Sequence, residues 1–234
     1  MMMEIVKKHE ILLGLTTTPN SDWRSKVEEM KKFGIKRIAL FPTFLKNAHQ
    51  RKELYDLLGN IKGLVIPHVH LREQDMEKWE MEWFEEHGAE AYNIHAFRRS
   101  HNKALVTYRK KIYLENHPLV SISHDRFRKA AGVCIDFQHW QFAKKLRPAV
   151  AEKTRENANK YTVGCCHISP FPKFKNTLSR FVKGVGGHYM ISLDELDYVE
   201  HYAAYLPQYI SLEMENSFEQ QLEAKKYLEK ILNI

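Results

Sequence analysis

The chain has 234 residues, 44% of them hydrophobic and 28% charged, with a formal net charge of +7. This is an ordinary globular composition, which excludes disordered and fibrous classes, and no run approaches the roughly 18 apolar residues of a membrane helix. The first residues lack the long apolar run of a secretion signal, and three cysteines, two of them adjacent, make no disulfide scaffold, so a cytoplasmic location is expected.

In chain order, short β-rich apolar runs alternate with longer amphipathic ones. Residues 11–16 read as a first strand, and 21–33 as a helix capped by Ser21 or Asp22 and closed by Gly34. Residues 38–41 are the second strand, followed by a helix near 50–58. Residues 64–66 are the third, running into Pro67-His68-Val69-His70, with a charged helix over 75–86. Its stripe Trp79, Met81, Trp83 and Phe84 marks a barrel-facing side, with a contact between copies of the chain as the alternative. Residues 91–94 are the fourth strand, with a helix or loop over 103–110, and 111–114 are the fifth, with a helix over 123–131. Residues 133–135 are the sixth, with a helix over 142–159 that Pro148 must kink or split. Residues 162–166 are the seventh strand, followed by a long Pro-, Gly- and Lys-rich connection and a helix over 193–205. Residues 209–212 are the eighth strand, and 218–232 the closing helix. Eight strand–helix units predict an α/β chain folded as one (β/α)8 TIM barrel domain over residues 1–234. No Gly-rich loop follows the first strand, which weakens a dinucleotide-binding open sheet.

Active sites of such barrels lie where the strands end. The residues just past the apolar runs are His68 and His70, His95, Glu115 with Asn116 and His117, Asp136 with His139, His167, and Glu213 with Glu215. His188 lies in the long connection. Seven of the thirteen histidines thus interleave with carboxylates at one rim. Such a ring repels itself unless protons or a cation neutralise it, and its mixed oxygen and nitrogen donors suit Mn²⁺, Co²⁺, Mg²⁺ or Zn²⁺. The sequence leaves open whether His68 or His70 points inward. Cys165-Cys166, inside a strand, read as buried thiols rather than nucleophiles.

Tyr113-Leu114-Glu115-Asn116-His117-Pro118, Val133-Cys134-Ile135-Asp136-Phe137-Gln138-His139 and Ile210-Ser211-Leu212-Glu213 occur in that order. The set resembles the strand-end signatures of the xylose isomerase-like barrel superfamily, which includes sugar and sugar-phosphate isomerases and epimerases and the apurinic endonucleases. The resemblance implies a divalent metal on Glu115, Asp136, His167 and Glu213, with Glu115 and Glu213 as acid and base. It also implies that His68, His70, His95, His139 and His188 face substrate or a second metal. A metal-dependent isomerase or epimerase of a small sugar or sugar phosphate, working through an enediolate, is the first expectation. The alternatives are an endonuclease-like phosphodiesterase, favoured by Tyr92-Asn93-Ile94-His95, and a barrel that binds metal or ligand without catalysis. Against the endonuclease, Gly186 stands where that branch has Asp, and Ile168-Ser169-Pro170 follows His167 where relatives carry an Asp.

Arg98, Arg99 and Lys173 are the expected anion-binding residues, Arg for its bidentate grip on phosphate. Phe171, Phe174 and Phe181 read as a loop cluster or a stacking surface, and Trp140 as core or as a cover for a sugar face. The expected partners are a small sugar or sugar phosphate, a second copy of the chain, and, as the less favoured option, nucleic acid.

Overall fold

The structure, a computed structural model, describes residues 9–96, 102–173 and 187–234. Eight parallel strands run β1 (Glu10–Thr16), β2 (Arg37–Phe41), β3 (Val65–His70), β4 (Ala91–His95), β5 (Ile112–Glu115), β6 (Gly132–Asp136), β7 (Val163–Ile168) and β8 (Tyr209–Leu212). They close into a barrel in sequence order. The helices around them are α1 (Trp23–Phe33), α2 (Ala48–Gly59), α3 (Lys78–Glu86), α4 (His124–Phe127), α5 (Phe137–Leu146), α6 (Pro148–Lys160) and α7 (Phe218–Leu232). The expected (β/α)8 architecture is the one observed. No helix among the described residues is long and apolar enough to cross a membrane.

The helices follow from local chemistry. Asp22 accepts from Ser25 N at 3.0 Å and caps α1, and Gly34 ends it with φ 65°, a left-handed conformation that costs glycine little. Trp23, Val27 and Met30 then bury one stripe against the strands. On α3, Met81 and Phe84 are buried while Trp79 and Trp83 are half-buried against Tyr55 of α2, so that stripe is internal packing.

Pro148 splits the helix expected over 142–159, beginning α6 as its first residue because it lacks an N–H. Three details differ from expectation, the first being that α5 begins at Phe137, directly after β6. The helix over 123–131 is only the four residues of α4. Residues 193–205 form a 3₁₀ helix, Leu193–Tyr205, a distinction that apolar spacing alone does not make. Between β4 and β5 the described connection contains two short 3₁₀ turns.

The interior is filled from below by Leu12, Ala39, Phe41, Ala91, Cys134, Cys165 and Tyr209, packed with Tyr113. Gly164 makes room for Tyr113, since a Cβ there would lie 2.0 Å from the ring. One side chain extends the β1–β8 seam. β1 pairs with β8 only from Glu10 to Leu12, and at Gly14 a Cβ would stand 1.7 Å from Leu212 O. Beyond Leu12 the backbone is satisfied by Gln221 of α7, whose Oε1 accepts from Gly14 N at 2.7 Å and whose Nε2 donates to Gly14 O at 3.0 Å. A Gln221→Leu variant keeps the volume and leaves both buried backbone groups unpaired. It is expected to lose about 2–6 kcal/mol at roughly 1–3 kcal/mol per group. Thermal and urea unfolding measure this, and wild-type stability would remove Gln221 from its role at the seam.

Candidate metal centre

The parallel register brings polar strand ends to one mouth. His70, His95, Glu115 and Asp136 are the last residues of β3, β4, β5 and β6. His167 is one residue from the end of β7, and Glu213 immediately follows β8. The ladder sets His95 beside Glu115, Asp136 beside His167, and His70 beside Asn93.

Three overlapping sets of donors result. His70, His95 and Glu115 form one, Glu115, Asp136 and His139 a second, and Asp136, His167 and Glu213 a third. Within each set one donor atom per residue lies within 4.8 Å of the others. Glu115 is the hub. Its Oε2 is 3.4 Å from His70 Nε2 and 3.7 Å from His167 Nδ1, and its Oε1 is 3.5 Å from His139 Nδ1 and 4.0 Å from His95 Nε2. His167 Nδ1 also lies 3.4 Å from Glu213 Oε2.

Supporting groups orient these donors. Asp136 caps α5 by accepting from His139 N at 2.7 Å. Asn116 clamps the Asp136 backbone, its Oδ1 accepting from Asp136 N at 2.7 Å and its Nδ2 donating to Asp136 O at 3.1 Å. His139 Nδ1 donates to Asn116 O at 3.0 Å. Ser169 Oγ donates to Glu213 O and accepts from His188 Nδ1, both at 3.1 Å. Among the described residues, three buried ring nitrogens have no hydrogen-bond partner: His70 Nδ1, His70 Nε2 and His167 Nδ1.

Desolvation drives the electrostatics. Burial, then Asp136 and Glu213, push the Glu115 carboxyl well above its usual range. Burial pushes Glu213 the same way, but His188 and then His167 overcome it and hold Glu213 well below that range. Burial, then His95 and His167, keep His70 well below the usual imidazole value. His188 is raised, because Glu213, Asp136 and Glu215 outweigh its burial.

Both His68 and His70 face inward, because positions two apart in a strand share a face; they differ in depth. His68 lies lower, with Nδ1 2.6 Å from Ser211 Oγ and Nε2 3.0 Å from Asn93 Oδ1, so both its nitrogens are engaged away from the mouth. It also groups with Cys134 and Cys165, which are buried free thiols, as is Cys166.

Lys173 is not an open anion site. Its Nζ is 3.1 Å from Asp194 Oδ2 and 2.9 Å from Asp197 Oδ2, two carboxylates that already balance it. Arg98, Arg99, Phe174, Phe181 and Gly186 lie outside the described residues. Trp140 packs against Tyr202 and Tyr205 on the helical layer, and Phe171 against Phe142 and Tyr198, so neither offers a free stacking face. His117 accepts from Leu119 N at 3.2 Å at the rim. Sequence reasoning passed over Asn93 as a site residue, although its position two before His95 puts it on the same face.

No family model matches the chain, and no curated protein matches it. Among solved structures it is similar to a dihydropteroate synthase from Coxiella burnetii in complex with pteroic acid (13% identity, TM-score 0.52, 97% of this chain and 94% of that one). It is also similar to the 7,8-dihydropteroate synthase of Vibrio fischeri (14% identity, TM-score 0.51, 97% and 94%). A third is the dihydropteroate synthase of Thermus thermophilus (12% identity, TM-score 0.50, 94% and 94%). These likenesses show the TIM barrel fold. They overturn the resemblance to the xylose isomerase-like superfamily, since these similar structures are of a different barrel family. Short strand-end signatures such as Leu-Glu-Asn answer a chemical need at a barrel mouth and do not by themselves mark descent.

Proposed function

We propose that the chain is a divalent-metal-dependent enzyme with two adjacent ions. His70, His95 and Glu115 would hold one, and Asp136, His167 and Glu213 the other, with Glu115 between them. The chemistry this arrangement serves best is hydrolysis of a phosphate ester. The observation that carries the reading is the pair of buried histidines, His70 and His167, whose unpartnered nitrogens stand on either side of Glu115. An unsatisfied buried polar group costs about 1–3 kcal/mol, and buried carboxylates beside one another add repulsion. Cations coordinated by both residue types remove both costs, and imidazole with carboxylate suits Zn²⁺, Mn²⁺ or Co²⁺ better than Ca²⁺.

Such a pair of ions supplies an activated water and stabilises the attacking and leaving oxygens of a phosphoryl displacement. The protein's own groups complete the chemistry. With Nδ1–H given to Asn116 O, the His139 ring has its Nε2 free to take a proton from the nucleophile or pass one to the leaving group. His188, raised toward its charged form and held by Ser169, offers a positive donor to a phosphoryl oxygen. With Lys173 already paired, anion recognition falls to the ions and these two rings.

A second reading is isomerisation or epimerisation of a small sugar or sugar phosphate. It rests on Glu115 and Glu213, which flank His167 Nδ1 at 3.7 and 3.4 Å and are driven in opposite directions, one toward acid and one toward base.

Zinc-, manganese- or cobalt-loaded protein is expected to cleave a chromogenic phosphodiester or phosphomonoester, and Glu115→Gln is expected to lose on the order of 10²-fold or more of that turnover. Turnover of aldoses or ketoses without ester cleavage favours the second reading; turnover of neither class by any loaded form contradicts both.

Metal-free protein gives an independent test. Glu115 holds its proton more tightly folded than unfolded. The folded state therefore binds more protons, and stability is lost as pH rises from the ordinary carboxylate range through the folded value. Glu115→Gln removes this loss. Metal-free variant and wild type are expected to melt progressively further apart, the variant higher, from mildly acidic to mildly alkaline pH. Melting curves that stay parallel across that range would contradict an uncompensated buried carboxyl at Glu115.

A further inference from the structure

With Glu115 ionised and both neighbouring rings neutral, as a bound metal requires, the polar atoms around Asn93 admit one arrangement of hydrogens. Asn93 is wholly buried in β4. Its Nδ2 is 2.7 Å from Glu115 Oε2, and its Oδ1 is 3.0 Å from His68 Nε2 and 3.2 Å from His167 Nε2. A metal-binding carboxylate only accepts, so the amide NH₂ must face Glu115. The amide oxygen then faces both rings, and because it too only accepts, each Nε2 must carry a hydrogen. Ser211 Oγ donates to His68 Nδ1 at 2.6 Å and completes that ring. His167 is left with a lone pair on Nδ1, the atom that lies between Glu115 and Glu213 without a hydrogen-bond partner.

We propose that Asn93 is the positioning residue of the metal centre. It sets the tautomer in which His167 ligates through Nδ1, and it holds Glu115 Oε2 in place beside the same ion. The proposal rests on the metal reading above. The position after His167 where an acidic partner was expected does not supply this function, because Ser169 is engaged with His188 and Glu213 O. Cys134 Sγ approaches His167 Nε2 at 3.6 Å, but a thiol is a weak acceptor and would not select a tautomer. One buried amide thus replaces the carboxylate or carbonyl that usually orients a metal-bound imidazole, and it reaches two ligands from neighbouring parts of the barrel at once.

The experiment reads histidine side-chain nitrogens by NMR in zinc-loaded full-length protein and zinc affinity by chelator competition. In wild type, His167 and His68 are expected as Nε2–H tautomers. In Asn93→Ala, His167 is expected to populate both tautomers and the zinc Kd to rise about 10–100-fold. In Ser211→Ala, only His68 is expected to change, with His167 and zinc affinity as in wild type. A wild-type His167 carrying its hydrogen on Nδ1 overturns the proposal, and this outcome needs no variant to fold. An Asn93→Ala protein with wild-type tautomer and zinc affinity also overturns it. A wild type that binds no zinc, manganese or cobalt overturns the metal reading instead, and with it any role of Asn93 toward an ion.

Discussion

A closed parallel barrel carries the ends of all its strands to one small mouth. In this chain five consecutive strands end in or next to a carboxylate or imidazole, and Glu213 follows the eighth. The governing constraint is charge balance in a space from which water is largely excluded: Glu115 is 2% exposed and Glu213 9%. His188 and His167 balance Glu213, but nothing among the described residues balances Glu115. Burial keeps His70 from protonating, so it cannot serve as a counter-ion, while Asp136 and Glu213 both oppose ionisation of Glu115. One shared proton on Glu115 could serve only one of the His70 and His167 nitrogens that face its Oε2. Cations answer both demands, and for that reason the centre is read as a metal site.

Around the donors stands a set of small neutral polar residues, each oriented by its own hydrogen bonds. Asn116 holds the Asp136 backbone, Ser169 links His188 to the chain at Glu213, and Ser211 and Asn93 settle the hydrogens of His68 and His167. None carries charge, so the frame sets geometry without adding to the imbalance. The frame in turn depends on barrel closure. Gln221 ties α7 to Gly14 and to Met214 O, directly beside Glu213, so the helix that extends the seam also holds the chain next to Glu213 at the end of β8.

Much of this was legible in the sequence because it depends on period and punctuation. Apolar runs separated by capped amphipathic stretches located all eight strands, and the polar residues past those runs pointed to His68 or His70, His95, Glu115, Asp136, His167 and Glu213 as the residues of the mouth. Depth was not legible. Alternation assigns a face but not a height, so it could not separate His68, satisfied one layer down, from His70 at the mouth. Long-range pairing was not legible either. Lys173 read as an anion site because Asp194 and Asp197 reach it only in the folded chain. Asn93 was hidden by its neutrality, since a search for ionisable strand ends passes over an amide, and kinship was misread because similar strand ends answer a similar need on different barrels.

The most direct test is the number of ions the chain binds. Metal-free protein titrated with zinc, with bound metal counted by elemental analysis after gel filtration, is expected to take up two ions per chain in wild type and one in His70→Ala, with the other retained. Uptake of a single ion that His70→Ala leaves unchanged would contradict the two-ion centre, and no uptake of zinc, manganese or cobalt would contradict the metal site altogether.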